Sequence, residues 1–285
     1  MNDVSNVGGN VLPDEDFSIP TAAELAAPEA AVPAGPNGFE LLGLAPELVQ
    51  AVADMGYTEP TAVQNAAIPK ALTVDGVYAD LMVSSQTGSG KTAAFLLPVL
   101  HTLLAMQADE DRAEKEAFEA ACAEAVAKGE VAPKRPKRKD PTNPRNFKPA
   151  EPGALVVCPT RELAQQVAND GIDLVRHCRG LRIANVVGGM PYQLQVAKLQ
   201  NANLVVATPG RLLDLQRAGQ LKLDKVMFLV MDEADRMLDL GFADDLAEIN
   251  QLTAQRHQTM MFSATFAPRI QQLAMRVMHD GGSSV

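Results

Sequence analysis

The chain has 285 residues, 47% of them hydrophobic and 21% charged, a core-forming composition that excludes fibrous and wholly disordered classes. Its 25 Lys and Arg against 35 Asp and Glu set a net charge of −10, which taken alone argues against a nucleic-acid partner. No apolar run approaches the roughly 18 residues of a membrane span, the opening MNDVSNVGGN lacks the basic start and apolar stretch of a signal peptide, and Cys122, Cys158 and Cys178 show no C-x-x-C spacing. The expectation is a cytoplasmic, reducing setting with no membrane, no disulfide framework and no zinc site.

The charge is unevenly spread. Residues 1–38 hold six acids and no Lys or Arg, residues 108–131 hold eight acids and three bases, and residues 134–148 hold seven bases and one acid. Most of the net acidity therefore sits in the N-terminal stretch and one internal segment, and it does not exclude a basic groove elsewhere. Residues 1–37, rich in Ala, Pro and acids, carry too few large apolar groups to offset the entropy of ordering and read as a disordered tail. At 108–152 an Ala/Glu run (DEDRAEKEAFEAACAEAVAKGE) reads as a helix continuing the one before it. Six prolines between Pro133 and Pro152, interleaved with bases, then predict an extended insert outside any packed core.

The remainder alternates short apolar runs with helical periodicity. Runs at Asp80–Ser84, Ala154–Cys158, Ile183–Val187, Leu204–Thr208, Val226–Met231 and Thr259–Ser263 are continuous rather than alternating, as strands buried on both faces are. Helical stretches such as Arg161–Arg176 and Pro268–Met278 follow them. The pattern predicts an α/β domain, a mostly parallel sheet with helices on both faces, whose ligands sit at the carboxyl ends of the strands.

After DLMVS comes Ser85-Gln86-Thr87-Gly88-Ser89-Gly90-Lys91-Thr92 and then an apolar helix, the strand–loop–helix setting of a phosphate-binding loop. Gly88 and Gly90 let backbone N–H groups converge on phosphate oxygens at a helix N-terminus, Lys91 reaches the outer phosphates, and the Thr92 hydroxyl suits Mg2+. Ser85 stands where such loops usually begin with glycine. The run Val226–Met231 ends in Asp232-Glu233-Ala234-Asp235. A carboxylate at the end of a buried strand needs a countercharge, so Asp232 is the candidate Mg2+ holder and Glu233 the candidate base for an attacking water. The competing reading is an N-cap with acids favouring the first turn of the next helix.

These residues spell DEAD, and the chain resembles the first RecA-like domain of the DEAD-box ATP-dependent RNA helicases. Pro159-Thr160-Arg161-Glu162-Leu163-Ala164 is similar to that family's PTRELA segment, Gly188-Gly189 to its GG step, Thr208-Pro209-Gly210-Arg211 to its TPGR, and Ser263-Ala264-Thr265 to its SAT. The match runs from Phe39 to about Met278, leaving out the 108–152 insert. The resemblance implies a RecA-like fold over 67–285 and a Q-motif region over 38–66, where Gly56–Gln64 looks like the Q motif. There Gln64 would read adenine through its paired donor and acceptor, with Thr61 beside it, Tyr57 as an aromatic face, and Phe39 as the outlying aromatic. The alternative for Phe39 is a plain hydrophobic anchor.

It further implies that Arg161 and Arg211, the Thr160 and Thr208 hydroxyls, Pro159 and Pro209, and the loops at Gly188, Gly189 and Gly210 grip one RNA strand by its backbone without reading bases. The competing role for the two arginines is ion pairing with Glu162 or Asp214. Asp235, Ser263 and Thr265 would couple the nucleotide and RNA sites. Family members carry a second RecA-like domain that supplies arginines to the ATP site, and no such domain fits before Val285. The expectation is therefore a chain that binds ATP and Mg2+ but hydrolyses poorly by itself. Two other readings stay open, a nucleotide-indifferent RNA-binding fragment and a DNA-directed phosphate-loop ATPase.

Overall fold

The computed structural model describes residues 37–140, 143–279 and 283–285. The expected N-terminal tail lies, apart from Asn37, outside the described residues. The six anticipated strands all form: β1 (Leu81–Ser84), β2 (Ala154–Val157), β3 (Ile183–Val186), β4 (Leu204–Ala207), β5 (Phe228–Met231) and β6 (Gln258–Ser263). A seventh, the two-residue β7 (Ser283–Ser284), was not anticipated, because two serines give no apolar signal. All pairings are parallel, in the order β3-β4-β2-β5-β6-β1-β7.

Strands β2, β4, β5 and β6 are buried along their whole length. Alternate side chains feed two separate cores, as the period of two requires. Val156, Val206, Val230 and Phe262 point into one cluster, whereas Leu155, Val205, Leu229 and Met261 point into the other. The first cluster is covered by α1 (Pro46–Asp54), α2 (Ala62–Ala71), α3 (Lys91–Ala127) and α4 (Arg161–Leu174). The second is covered by α6 (Pro209–Arg217), α7 (Ala234–Asp239), α8 (Ala243–Leu252) and α9 (Pro268–Val277), and α5 (Tyr192–Leu199) contributes Leu199 to it.

The helix after the phosphate loop and the acidic stretch are one element, α3, 37 residues long. Its buried residues end at Leu103, and Leu104 and Met106 still pack on the core, so the 20 residues from Ala108 to Ala127 project about 30 Å at 1.5 Å per residue. Contrary to the sequence expectation, α3 is long and apolar enough by length and composition to cross a membrane. Half of that apolar window is buried in the domain, as in the core helix of an α/β fold. The basic run that follows is exposed from Val131 to Asp140 and extended, as expected. It lies back along α3, with the Arg135 guanidinium 5.3 Å from the Phe118 ring centroid.

Deeper in the body, Arg256 is 8% exposed and holds the far ends of α8 and α9 together. It donates to the carbonyls of Asn250, Thr253 and Val277 and to the side chains of Asn250 and Thr259. Burial lowers its pKa.

Candidate nucleotide and nucleic-acid site

Because every strand is parallel, every motif segment leaves the sheet at the same edge. Across that edge the order is Gly188-Gly189 after β3, Thr208–Arg211 after β4, Pro159–Arg161 after β2, Asp232–Asp235 after β5, Ser263–Thr265 at β6, and the phosphate loop after β1. The crossovers thus turn a scrambled sequence order into two neighbouring territories, with the acidic tetrad between them.

On the β1 side, Gly88 and Gly90 take φ of 81° and 83°, left-handed values that L side chains rarely adopt. Gly90 is also tightly approached, since a Cβ there would lie 2.6 Å from Gln64 Nε2 and 2.8 Å from Thr61 Oγ1. Lys91, the first residue of α3, is 7% exposed and reaches across to the end of β5. Its Nζ lies 3.0 Å from Asp232 Oδ1 and 3.1 Å from Glu233 Oε1. Asp232 is fully buried. Burial pushes its carboxyl pKa up, with Lys91 opposing the rise. Burial pulls the Lys91 ammonium down, but the two carboxylates, Asp232 foremost, outweigh it and hold it above its ordinary value.

Several polar atoms here lack hydrogen-bond partners: Asp232 Oδ2, Ser85 Oγ and Ser89 Oγ are buried without one. An orphaned carboxylate oxygen beside a phosphate-type loop fits a cation, with Thr92 lining the same cleft. Glu233 stands at φ 50° and ψ 54° at the N-cap of α7 with Asp235 in the first turn, as the competing reading has it, but its side chain makes no capping hydrogen bond. Its carboxylate turns instead to Lys91 and, at 3.6 Å, to Arg236. This strained backbone holds the carboxylate over the cleft.

The cleft has a volume of about 780 Å3 and runs between the phosphate loop, the segment before α2, and the face of α4. Phe39, Tyr57, Thr61 and Gln64 line one wall, Gly88, Lys91 and Thr92 the floor. Gln64, expected to read adenine with its whole amide, has part of that amide already engaged within the protein. Its Oε1 accepts from Thr61 N–H at 3.0 Å and its Nε2 donates to Gly90 O at 3.0 Å. Thr61 Oγ1 in turn accepts from Gln64 N–H at 3.3 Å, closing a capping box at the start of α2. One N–H and one lone pair of the amide remain for a base. Phe39 is 2% exposed and belongs to the core, so anchoring is its structural role even though its edge meets the cleft. Tyr57 is exposed at the mouth. The sequence reading missed Glu162, Gln166 and Asp170, which line the opposite wall. Their i, i+4, i+8 spacing on α4 was the available signal.

Ser85 faces a second, smaller cleft of about 210 Å3, where it meets Asp235 and Ser263, and Thr87 lines both clefts. Ser85 N–H donates to Ser263 O at 3.1 Å. Ser263 Oγ donates to Thr265 O at 2.8 Å, and Thr265 Oγ1 to Asp235 Oδ2 at 3.4 Å. The three expected coupling residues are therefore linked to one another and to the loop. Gln86 closes the loop's turn by accepting from Ser89 N–H at 3.3 Å.

On the β3 side, Arg161 donates to Gly188 O at 3.3 Å and Arg211 to Met190 O at 3.2 Å. Neither arginine takes the ion pair with Glu162 or Asp214 considered above; both brace the glycine loop after β3. Thr160 caps α4 by accepting from Leu163 N–H at 3.3 Å, which occupies one of its lone pairs. Thr208 stands at the N-cap of α6 with no side-chain hydrogen bond, and Pro209 opens that helix with Gly210 next to it. Pro159 precedes the α4 cap, and Gly189 has a φ of 83°.

Fold and site together define a phosphate-loop α/β domain of the RecA-like class, with a lysine–carboxylate centre at the strand ends. The family model described as DEAD/DEAH box helicase matches residues 61–273, and the chain belongs to that family. It is 39% identical over 249 residues to DEAD-box ATP-dependent RNA helicase 52A of Oryza sativa subsp. japonica, covering 85% of this chain and 36% of that protein. It is 37% identical to ATP-dependent RNA helicase DeaD of Haemophilus influenzae, covering 85% and 32%. Among solved structures, a DEAD box protein from Methanococcus jannaschii aligns with a TM-score of 0.65 and 30% identity over 87% of this chain and 55% of that one. A hypothetical ATP-dependent RNA helicase from Sulfolobus tokodaii aligns with a TM-score of 0.62 and 32% identity over 84% and 56%. The chain spans about a third of the length of the curated relatives it matches.

Proposed function

We infer that the chain is the ATP-binding half of an RNA helicase, which binds ATP with Mg2+ in the large cleft and an RNA backbone along the β3–β4–β2 edge. The observation that carries this is the Lys91–Asp232–Glu233 centre, in which residues 142 positions apart, Lys91 and Glu233, meet beside the phosphate-type loop with the buried Asp232 between them. A nucleotide-indifferent RNA-binding fragment has no use for such a centre. In this reading Lys91 leaves the carboxylates for the β- and γ-phosphates, while loop N–H groups and the Ser85 and Ser89 hydroxyls complete the cradle. Asp232 and Thr92 would hold Mg2+, which when bound supplies charge neutralisation at the phosphates. Glu233, released from Lys91, accepts the proton of the attacking water.

Arg161, Arg211, Thr160 and Thr208, together with the glycine loops, present cations, hydroxyls and backbone N–H groups, which suits a phosphate–sugar backbone and no particular base. The preference for RNA over DNA, against a DNA-directed motor, would rest on 2′-hydroxyl contacts. Duplex separation would require closure against a second RecA-like half that adds arginines to the phosphates. The test is ATP hydrolysis with and without single-stranded RNA, with that second half supplied, and Glu233→Gln as the blank. RNA-stimulated hydrolysis that disappears in Glu233→Gln while ATP still binds supports the reading. Stimulation by DNA equal to that by RNA, or hydrolysis unaffected by Glu233→Gln, would refute it.

A further inference from the structure

The second basic feature of the chain stands apart from the motif edge. The insert returns to the body immediately before β2, and the α5–β4 loop enters β4 beside it, so both lie at the amino-terminal edge of the parallel sheet. The nucleotide cleft and the Arg161 and Arg211 loops lie at the carboxyl-terminal edge. At least the length of β2 separates the two edges, four residues or about 13 Å.

At that far pole Lys134, Arg135, Lys137, Arg138 and Lys139 are exposed along an extended strand of chain. Pro133 O accepts from Cys122 Sγ at 3.9 Å and Arg135 stacks on Phe118, which hold the run against α3. The acids of α3 are partly satisfied within their own helix, Asp109 by Arg112 and Glu124 by Lys128, both at 2.6 Å. Where the insert rejoins the body, Lys139, Asn146 and Lys148 face Gln200 and Asn203 across a cleft of about 460 Å3. Gln200 Nε2 is a buried donor with no hydrogen-bond partner. Among the described residues lining this cleft the one carboxylate is Glu151, which is ion-paired with Lys225 at 2.8 Å. Two ammonium groups and an unsatisfied amide donor around a cleft, beside a run of exposed cations, match the charge and the acceptor oxygens of a phosphodiester chain.

We propose that this pole is a second RNA-binding surface, which takes phosphates of the same RNA outside the stretch gripped at the motif edge, with Lys139, Lys148 and Gln200 as its fixed contacts. The proposal rests on the helicase reading above and deepens it. Short RNAs confined to the motif edge do not reach the pole. Longer ones engage both edges, and because no bases are read, the added affinity is independent of sequence and strongly dependent on salt.

The test measures binding of a single-stranded RNA of about 5 nucleotides and one of about 30, at several salt concentrations, for the chain and for Lys139→Gln/Lys148→Gln. Loss of two phosphate contacts should weaken the long RNA roughly tenfold near 0.1 M salt and make its log–log salt slope shallower by about 1.4, at about 0.7 per contact. The short RNA should be unaffected, Lys139→Arg/Lys148→Arg should behave as the parent, and Gln200→Met should show a smaller loss on the long RNA only. Both lysines are exposed, so an unchanged melting curve is expected and serves as the fold control. Unchanged affinity and slope for the long RNA would overturn the proposal, including the case in which the pole docks an acidic protein instead. An equal loss on both lengths would overturn it too, as a general field effect. Failure of the unaltered chain to bind either RNA would instead sink the helicase reading, and this proposal with it.

Discussion

Replacing Lys91 by methionine tests the electrostatics of the centre without touching its shape. Asp232 is fully buried, its Oδ2 has no hydrogen bond, and Lys91 at 3.0 Å is the cation that faces it. With an effective dielectric of about 20, a pair at that distance is worth about 5–6 kcal/mol before desolvation. The loss on mutation is bounded, because a stranded carboxylate can take up a proton. At pH 7 that costs about 4 kcal/mol for a carboxyl with an ordinary pKa of about 3.9. Lys91→Met should therefore destabilise the nucleotide-free chain by about 3–4 kcal/mol, within the range seen when one partner of a buried pair is removed. The pH dependence has a definite sign. Burial already raises the Asp232 pKa, and loss of Lys91 raises it further, so the folded variant binds a proton more tightly than its unfolded chain does. The deficit should then narrow as pH falls from 7 toward about 4, by at most about 1.4 kcal/mol per unit. Lys91→Met/Asp232→Asn should recover about 2 kcal/mol, because no charge is left buried. Urea unfolding of the three proteins at pH 7 and pH 5 reads all of this. A deficit under about 1 kcal/mol at pH 7, or a double variant no more stable than the single one, would refute the reasoning.

Gly90→Ala should destabilise the chain by at least about 1–2 kcal/mol from its left-handed φ alone, and should weaken ATP binding by pushing Gln64 off the loop; parental melting and affinity would contradict this. Arg256→Met strands carbonyls at the ends of α8 and α9, so a loss of about 3 kcal/mol is expected in urea unfolding, with nucleotide binding intact below the transition. His101 accepts from Ala45 N–H at 3.0 Å through Nδ1, and burial lowers its pKa. Its contribution to stability is complete above the ordinary histidine pKa of about 6.5 and is lost as pH falls through the lowered value. His101→Gln should flatten that limb of the stability–pH curve, and an unaltered limb would show that other groups cause it.

Much of this was legible in the residues because the signals were local. Strands β2, β4, β5 and β6 are buried along their whole length and read as near-continuous apolar runs, whereas β1 and β3 are buried only at alternate positions, a difference the apolar runs did not reveal. The phosphate loop and the tetrad announced themselves by the strand before and the helix after. What stayed hidden depends on contacts between distant segments. The order of motifs along the sheet edge follows from which strands pair across crossovers, and no local pattern carries that. Gln64 was read as a base-reading amide, although Thr61 three residues earlier is also the sign of a capping box. The hydrogen bond to Gly90 that locks the amide against the loop could not be seen from spacing. Arg256 reads as an ordinary surface arginine until α8 and α9 are placed around it. Pro69 inside α2 and the two serines of β7 masked elements that tertiary packing holds in place.

The most direct measurement is calorimetric titration of ATP into the chain, with Mg2+ present and withheld, beside Asp232→Asn. The account predicts binding that weakens roughly tenfold, about 1.4 kcal/mol, when Mg2+ is withheld, and an Asp232→Asn protein that no longer distinguishes the two conditions. Binding that ignores both Mg2+ and Asp232, or no binding at all, would contradict it.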